Sequence, residues 1–263
     1  NMKNIITDQI GHQFELNSSP KRIVSLVPSQ TELLYDLGLD YEVVGITKFC
    51  IHPTKWFKSK DRVGGTKTVN LEKIAELNPD FIIANKEENT EAEIKALQKL
   101  YPVYTSNIAN LSESLQMIQQ IGEITGKSVE AEKMTETIQN KFKCLVPFSG
   151  KQNKALYLIW KAPYMSVNKY TFINDMISRS GFHNVIETET IYPMISEDQI
   201  DELNPDFIFL SSEPYPFKEK HLLEFQNRFS KAKMVLVDGE YFSWYGSRLL
   251  AAPDYFSTLM KQG

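Results

Sequence analysis

The sequence predicts an α/β protein of two similar lobes, each built on a mainly parallel sheet. Residues 76–82 read ELNPDFI, and residues 202–208 repeat the same seven letters about half a chain later. Internal repetition at that spacing predicts two copies of one folding plan. Short apolar runs alternate with stretches of helical spacing from residue 22 onward, the order expected of parallel strands joined by crossover helices. Between the halves, 111–144 has helical periodicity, pausing at Gly126, with no proline before Pro147; its second helix, about 18 residues, is long enough to cross a small domain. Two lobes imply a ligand cleft between them. The predicted division is an N-terminal lobe over 1–110, a helical segment over 111–147 and a C-terminal lobe over 148–263.

Each element has a local cause. Residues 4–16 read as a hairpin turning at Gly11. RIVSLV (22–27) is a buried strand, TELLYDLGL (31–39) a helix ending at Gly38, and VVGI (43–46) a second strand. Residues 47–68, rich in Lys, Gly and aromatics, read as a long loop. The first repeat copy gives a helix over 71–77, a turn at Asn-Pro-Asp and a strand over 81–84. A helix over 87–100 and a strand over 103–106 follow. The second helix of the middle segment is expected over 127–145. The second half repeats the plan: strand 154–159, helix 172–182, strand 184–186, helix 197–203, strand 207–210, helix 221–230, strand 234–238 and a last helix over 247–260.

Composition narrows the function. Hydrophobic residues make up 42% and charged residues 24% of 263, ordinary for a globular chain able to bury one large or two modest cores. A net charge of −4 argues against a nucleic-acid partner. The two cysteines, Cys50 and Cys144, do not form a metal-type pair, and no disulfide framework is needed at this size. No apolar run approaches a membrane span. The opening NMKNIITDQIGHQFEL lacks the apolar core of a signal peptide. Either the protein begins at Met2 and is not exported by that route, or a leader has been removed.

Ligands of open α/β sheets sit beyond the carboxyl ends of the strands. The residues there define the candidates. In the first lobe they include Pro28, Ser29, Phe49, Cys50, Thr66 and Lys86. In the second they include Trp160, Tyr192, Glu240, Tyr241, Phe242 and Trp244. Singly, each aromatic reads more readily as core than as a ligand contact. Four aromatics in the five positions 241–245, however, are not expected to face one core together. Such a lining suits a large, partly apolar, planar or macrocyclic ligand. Arg248 reads equally as a partner for an anionic group or as a salt bridge to Asp238 or Glu240. Gly64 and Gly65 form a tight turn, since the rest of a phosphate-loop pattern is missing. Cys50 and His52 supply two metal-donor types where a site needs about four, so no metal site and no cofactor are expected. Their alternative is a cytosolic enzyme or sensor with Cys50 as nucleophile, which would need an oriented base. An interaction module binding no small ligand is a third possibility. Glu72 and Asp198 hold equivalent places in the first turns of the two repeat helices. Local physics explains both, because acids there stabilise the helix dipole; the functional alternative is an acidic knob on each lobe for a two-fold partner.

Taken in order, SLVPSQTELLYDLGL, VVGITKFCIHP, VGGTKTVNLEKIAELNPDFIIA, IYPMISEDQIDELNPDFIFL and FSWYGSRLLAA resemble the substrate-binding proteins of ABC importers for cobalamin, haem and iron-siderophores, with the periplasmic cobalamin binders nearest. The resemblance runs over nearly the whole chain from Arg22. It implies two α/β lobes joined by one rigid helix, a non-enzymatic role, a corrinoid, haem or iron-chelate ligand, an ABC permease dimer as partner, a monomeric state and a periplasmic or cell-envelope location. By position, Phe49, Thr66, Tyr192, Glu240 and Tyr241 fall where cobalamin binders touch ligand. Phe49 stands in place of Tyr, Tyr192 and Tyr241 in place of Trp, and Thr66 and Asn85 each in place of Trp. The family's permease-docking acids fall on Glu72 and Asp198. The positions that hold a disulfide in the cobalamin binders have no cysteine here.

Overall fold

A computed structural model describes residues 4–145 and 153–261. The chain divides into two compact units. The first comprises Asn1–Ile108, Ser112–Thr137 and Tyr245–Arg248; the second comprises Ala109–Leu111, Ile138–Trp244 and Leu249–Gly263. The predicted boundary at 147/148 lies outside the described residues.

The first unit opens on a hairpin, β1 (Asn4–Thr7) with β2 (Gln13–Leu16), turning at Gly11 with φ +83°. The buried Asp8 carboxylate accepts from the amides of Ile10 (3.0 Å), His12 (2.8 Å) and Thr105 (2.9 Å), which fastens the turn to a distant strand. Then come β3 (Ile23–Ser25), α1 (Pro28–Asp36), β4 (Val43–Ile46), α2 (Thr54–Ser59), β5 (Asp61–Arg62), β6 (Gly64–Gly65), β7 (Thr68–Val69), α3 (Leu71–Leu77), β8 (Phe81–Asn85), α4 (Glu91–Gln98) and β9 (Val103–Ser106). Helix α1 starts three residues earlier than expected, because Pro28 sits in its first turn, where a missing N–H is no loss. The segment 47–68 is not one loop: it folds into α2, with Trp56 fully buried, and three short strands. The five-stranded sheet has order β5-β4-β3-β8-β9, and every pair in it is parallel. Its core gathers Val24, Leu26, Val63, Ile74, Ile82 and Leu97.

Helices α5 (Leu111–Thr125) and α6 (Ser128–Lys143) follow, and the units divide within α6, between Thr137 and Ile138. The second unit contains β10 (Asn153–Leu158), β11 (Tyr164–Met165), α7 (Phe172–Arg179), β12 (Phe182–Asn184), β13 (Met194–Ile195), α8 (Glu197–Leu203), β14 (Phe207–Ser211), α9 (Glu219–Arg228), β15 (Lys233–Val237), α10 (Gly239–Ser243) and α11 (Ala252–Met260). A 3-10 turn, Ser247–Leu250, precedes α11. The single predicted last helix is thus split, and Pro253 lies in the first turn of its second part. The four-stranded sheet has order β12-β10-β14-β15, again all parallel. Its core gathers Leu156, Leu158, Ile200, Ile208, Leu210 and Phe225.

The doubled ELNPDFI folds the same way in both units. Helices α3 and α8 end on Asn78 (φ 46°, ψ 61°) and Asn204 (φ 45°, ψ 61°), both in the left-handed conformation that asparagine tolerates at a helix end. Asp80 accepts from the amides of Lys21 and Arg22 (2.8 and 2.9 Å), and its own amide donates to the Arg22 carbonyl. Asp206 accepts from the Lys154 amide (2.7 Å) and donates to the Lys154 carbonyl. The side chains of Arg22 and Lys154 then donate to the carbonyls of Leu77 and Leu203, the last helical residues. The repeat therefore clamps the entry of one central strand to the helix leading into the next. It is scaffold, and it turns β8 and β14 with their carboxyl ends alongside those of β3 and β10.

Candidate functional site

At the carboxyl end of the first unit's sheet, Phe49 is 51% exposed and lies on the loop after β4. The Lys48 amide donates to the Gly64 carbonyl (2.8 Å), which seats this loop against the β6–β7 hairpin. A Cβ on Gly65 would lie 3.3 Å from the Phe49 ring and 2.7 Å from the Thr68 hydroxyl. Glycine there lets the ring approach the hairpin closely. The Lys48 ammonium stands 5.1 Å from the centre of that ring. Thr66 at the hairpin tip is half-buried, Lys86 after β8 is exposed, and Pro28 at the start of α1 is half-buried. These residues come from four separate loops of one sheet end.

Other candidates are corrected by burial. Cys50 is fully buried, its sulfur held between the hydroxyls of Thr31 (3.1 Å) and Thr47 (3.2 Å). Burial pushes its thiol above the ordinary range. A sulfur so enclosed offers no surface for contact, and a thiol so raised does not favour the thiolate that a nucleophile requires. Ser29 is buried with its carbonyl beneath Gly246, whose φ of +133° suits only glycine. Arg248 forms an ion pair that the sequence does not suggest. Its Nε and Nη2 donate to the two carboxylate oxygens of Glu32 (3.0 and 2.5 Å), a bidentate pair 216 residues apart in sequence.

The second unit carries its own set. Trp160, just after β10, is 40% exposed and edge-on to Tyr215 at 5.7 Å; Tyr192 is 39% exposed. The aromatic run 241–245 is less open than expected. Helix α10 turns Phe242 into a core of Tyr157, Phe209 and Phe256. Trp244 is buried, and its indole N–H donates to Glu213 at 3.0 Å. Phe242 and Trp244 therefore leave the candidate set. Tyr241 remains half-buried and is stacked on Tyr255 at 4.6 Å. Glu240 lines a cavity of about 500 Å³ with Ser212, Asp238 and Tyr255, at the carboxyl ends of β14 and β15.

Ser212 and Glu213 follow the predicted strand 207–210 and Asp238 ends the predicted strand 234–238, but the sequence marks none of the three as a ligand contact, and it does not single out Asn89. Only Asp238 carries a local signal, as the N-cap of α10. Glu213 accepts from the Ser243 hydroxyl (2.6 Å) and the Trp244 indole. Burial raises its carboxyl above the ordinary 4.5; these two hydrogen bonds oppose the rise, and repulsion from Glu240 and Asp238 adds to it. A carboxyl with a raised folded value is most stabilising when protonated, so it costs stability as pH rises through that value. Glu213→Gln keeps an acceptor for both donors and removes the charge. It is expected to raise stability at pH 8 by about 1 kcal/mol, roughly 2–4 °C in Tm. The gain should shrink as pH falls and vanish below the ordinary carboxylate range, which paired thermal melts at pH 8 and pH 4 will read.

Glu72 and Asp198 are exposed in the first turns of α3 and α8. Neither side chain has a hydrogen-bond or ion-pair partner among the described residues. Their neighbours differ: Glu76 pairs with Lys73, and Glu197 and Asp201 are both held by Arg228. No group of three or more His, Cys, Asp or Glu residues that could hold a metal ion occurs among the described residues. No described helix is long and apolar enough to cross a membrane.

Residues 23–233 match the periplasmic binding protein family model. An uncharacterized ABC transporter substrate-binding lipoprotein of Bacillus subtilis is 31% identical over 214 residues, covering 77% of this chain and 67% of that protein. A vitamin B12-binding protein of Pectobacterium carotovorum is 23% identical over 239 residues, 89% of this chain and 86% of its own. Among solved structures, the periplasmic vitamin B12-binding protein of Vibrio cholerae superposes with a TM-score of 0.76 at 22% identity, over 93% of this chain and 98% of that one. A periplasmic heme-binding protein crystallised with two hemes gives 0.80 at 17% identity, over 92% and 98%. These superpositions establish the two-lobed α/β fold. With four-fifths of its length inside the matched model, this chain belongs to the periplasmic binding protein family.

Proposed function

We propose that this protein is the solute-binding component of an ABC-type uptake system, carrying a metal chelate of the corrinoid, haem or iron-siderophore class. The observation that carries the reading is the placement of Phe49, Trp160 and Tyr192. Each is a large ring left about half exposed on the loops of a parallel sheet's unit, where a folding optimum would bury it. Rings so placed offer flat apolar faces to a planar or macrocyclic ligand, and Thr66, Lys86, Glu240 and Tyr241 offer polar contacts for orientation. Binding is non-covalent. The enzyme alternative loses its nucleophile with the burial of Cys50. The Bacillus relative is named as a lipoprotein of an ABC transporter and other relatives as B12 binders, which supports a cell-envelope location and delivery to a permease; Glu72 and Asp198, exposed on their helices, are the docking acids of this reading.

The test is native mass spectrometry with absorbance, using cyanocobalamin, haemin and a ferric trihydroxamate. One class should give a 1:1 complex with a 30.3 kDa monomer. Phe49→Ala should weaken that complex about tenfold, the loss of roughly 1.4 kcal/mol of ring contact. Absence of binding to all three compounds would refute the chelate reading.

A further inference from the structure

We infer that Asn89 is a positioning residue that holds the ligand-facing loops of the first unit in one arrangement before ligand arrives; the inference rests on the function proposed above. Asn89 is 3% exposed, and its side chain hydrogen-bonds to backbone. Its Nδ2 donates to the Leu26 carbonyl (3.3 Å), just before Pro28, and to the Thr66 carbonyl (2.8 Å) at the hairpin tip. Its Oδ1 accepts from the Asn85 amide (2.8 Å), just before Lys86. One buried amide thus ties two loops to the end of β8, with residues up to 63 positions apart.

Asn85 extends the strap. It is 2% exposed, its Nδ2 donates to the Ser106 carbonyl (3.2 Å) and hydroxyl (2.9 Å), and its Oδ1 accepts from the amides of Glu87 (2.8 Å) and Glu88 (3.0 Å). All four hydrogen-bonding sites of that amide are used. The Asn89 amide in turn donates to the Asn85 carbonyl. The β6–β7 hairpin has strands of only two residues each, too short to hold its tip alone. Fixing loops in advance removes an ordering cost from binding and leaves a larger fraction of the free protein competent. A polar side chain buried deep in a hydrophobic domain, with its bonds directed at backbone in two loops and at the end of β8, serves that end better than it serves core stability.

The experiment compares wild type with Asn89→Ala, Asn89→Asp and Asn89→Ser by hydrogen exchange in the ligand-free protein, and by affinity and association rate for the one of cyanocobalamin, haemin or ferric trihydroxamate that wild type binds. Asn89→Ala should speed exchange about tenfold at the Asn85 amide and across 64–69, leaving α4 and β9 unchanged. Its affinity should fall about fivefold or more, chiefly through slower association. Asn89→Asp keeps the acceptor for Asn85 and loses both donors, so it should restore protection at Asn85 and leave 64–69 loose. Asn89→Ser serves in place of any variant that fails to fold. Unchanged exchange across 64–69 overturns the inference, and so does faster exchange with unchanged affinity. If wild type binds none of the three compounds, the proposed function falls, and exchange across 64–69 alone decides whether the strap exists.

Discussion

Replacing Glu72 and Asp198 together by alanine is expected to lower ligand-stimulated ATPase of the proposed permease by about 10- to 100-fold while the affinity for ligand stays at the wild-type value. The estimate follows from removing one interfacial charge pair per unit, each worth on the order of 1–2 kcal/mol across a partner. The local cost is small. An acid in a first helical turn contributes about 0.3–1 kcal/mol through the helix dipole, and the caps of both helices lie elsewhere, on Asn70 and on the Ser196–Gln199 box. Both variants should therefore fold. The contrast with neighbours gives the prediction its specificity. Glu197→Ala or Asp201→Ala removes a charge already neutralised by Arg228 and should leave stimulation unchanged. Glu72→Lys should impair more than Glu72→Ala, because it adds repulsion to the lost attraction. The assay is ATP hydrolysis by the permease in liposomes, titrated with ligand-loaded protein. Stimulation that survives the double substitution removes these two residues from the docking surface.

How much of this was readable in the chain depends on how local its cause is. Helices α3 and α8 fall on the predicted residues because cap, Pro-Asp turn and apolar stripe lie within a dozen positions. Strand β4 was equally legible, bounded by turn residues on both sides. The segment 47–68 was not. Its one-turn helix is held by Trp56 buried beside Tyr35 and hydrogen-bonded to Asp40, partners outside any periodic window. The aromatic run was only partly legible for a related reason: its four rings do not share one core, but which of them stay open was not readable. Counting rings in sequence ignores that a short helix ends at Ser243 and that the chain changes unit after Trp244. Phe242 and Trp244 settle among second-unit residues, while Tyr245 belongs to the first unit. Asn89 gave no signal at all, since NKEENT reads as an ordinary polar turn. Its role exists only once the topology has brought Leu26 and Thr66 alongside.

Arg248→Met is expected to cost about 2–3 kcal/mol of stability at pH 8, roughly 4–12 °C in Tm. The side chains of Arg248 and Glu32 are 17% and 13% exposed, so the pair is shielded enough for loss of one partner to matter and open enough to keep the figure below that for a fully buried pair. Removing the guanidinium strands a carboxylate that burial already drives above the ordinary 4.5, with Arg248 as the chief opposing influence. The sign follows from that direction. A carboxyl raised in the folded state stabilises most when protonated and loses its contribution as pH rises through the folded value. Without Arg248 the rise is larger, so the deficit of Arg248→Met should be full at pH 8 and diminish steadily toward pH 4. The double variant Glu32→Leu/Arg248→Met replaces the pair with apolar volume and should recover most of the loss at every pH, because neither charge is then left desolvated. Urea unfolding of the two variants at pH 8, 6 and 4 separates the effects. A deficit independent of pH, or a double variant no better than the single one, would show that Arg248 acts through its other contacts rather than through Glu32.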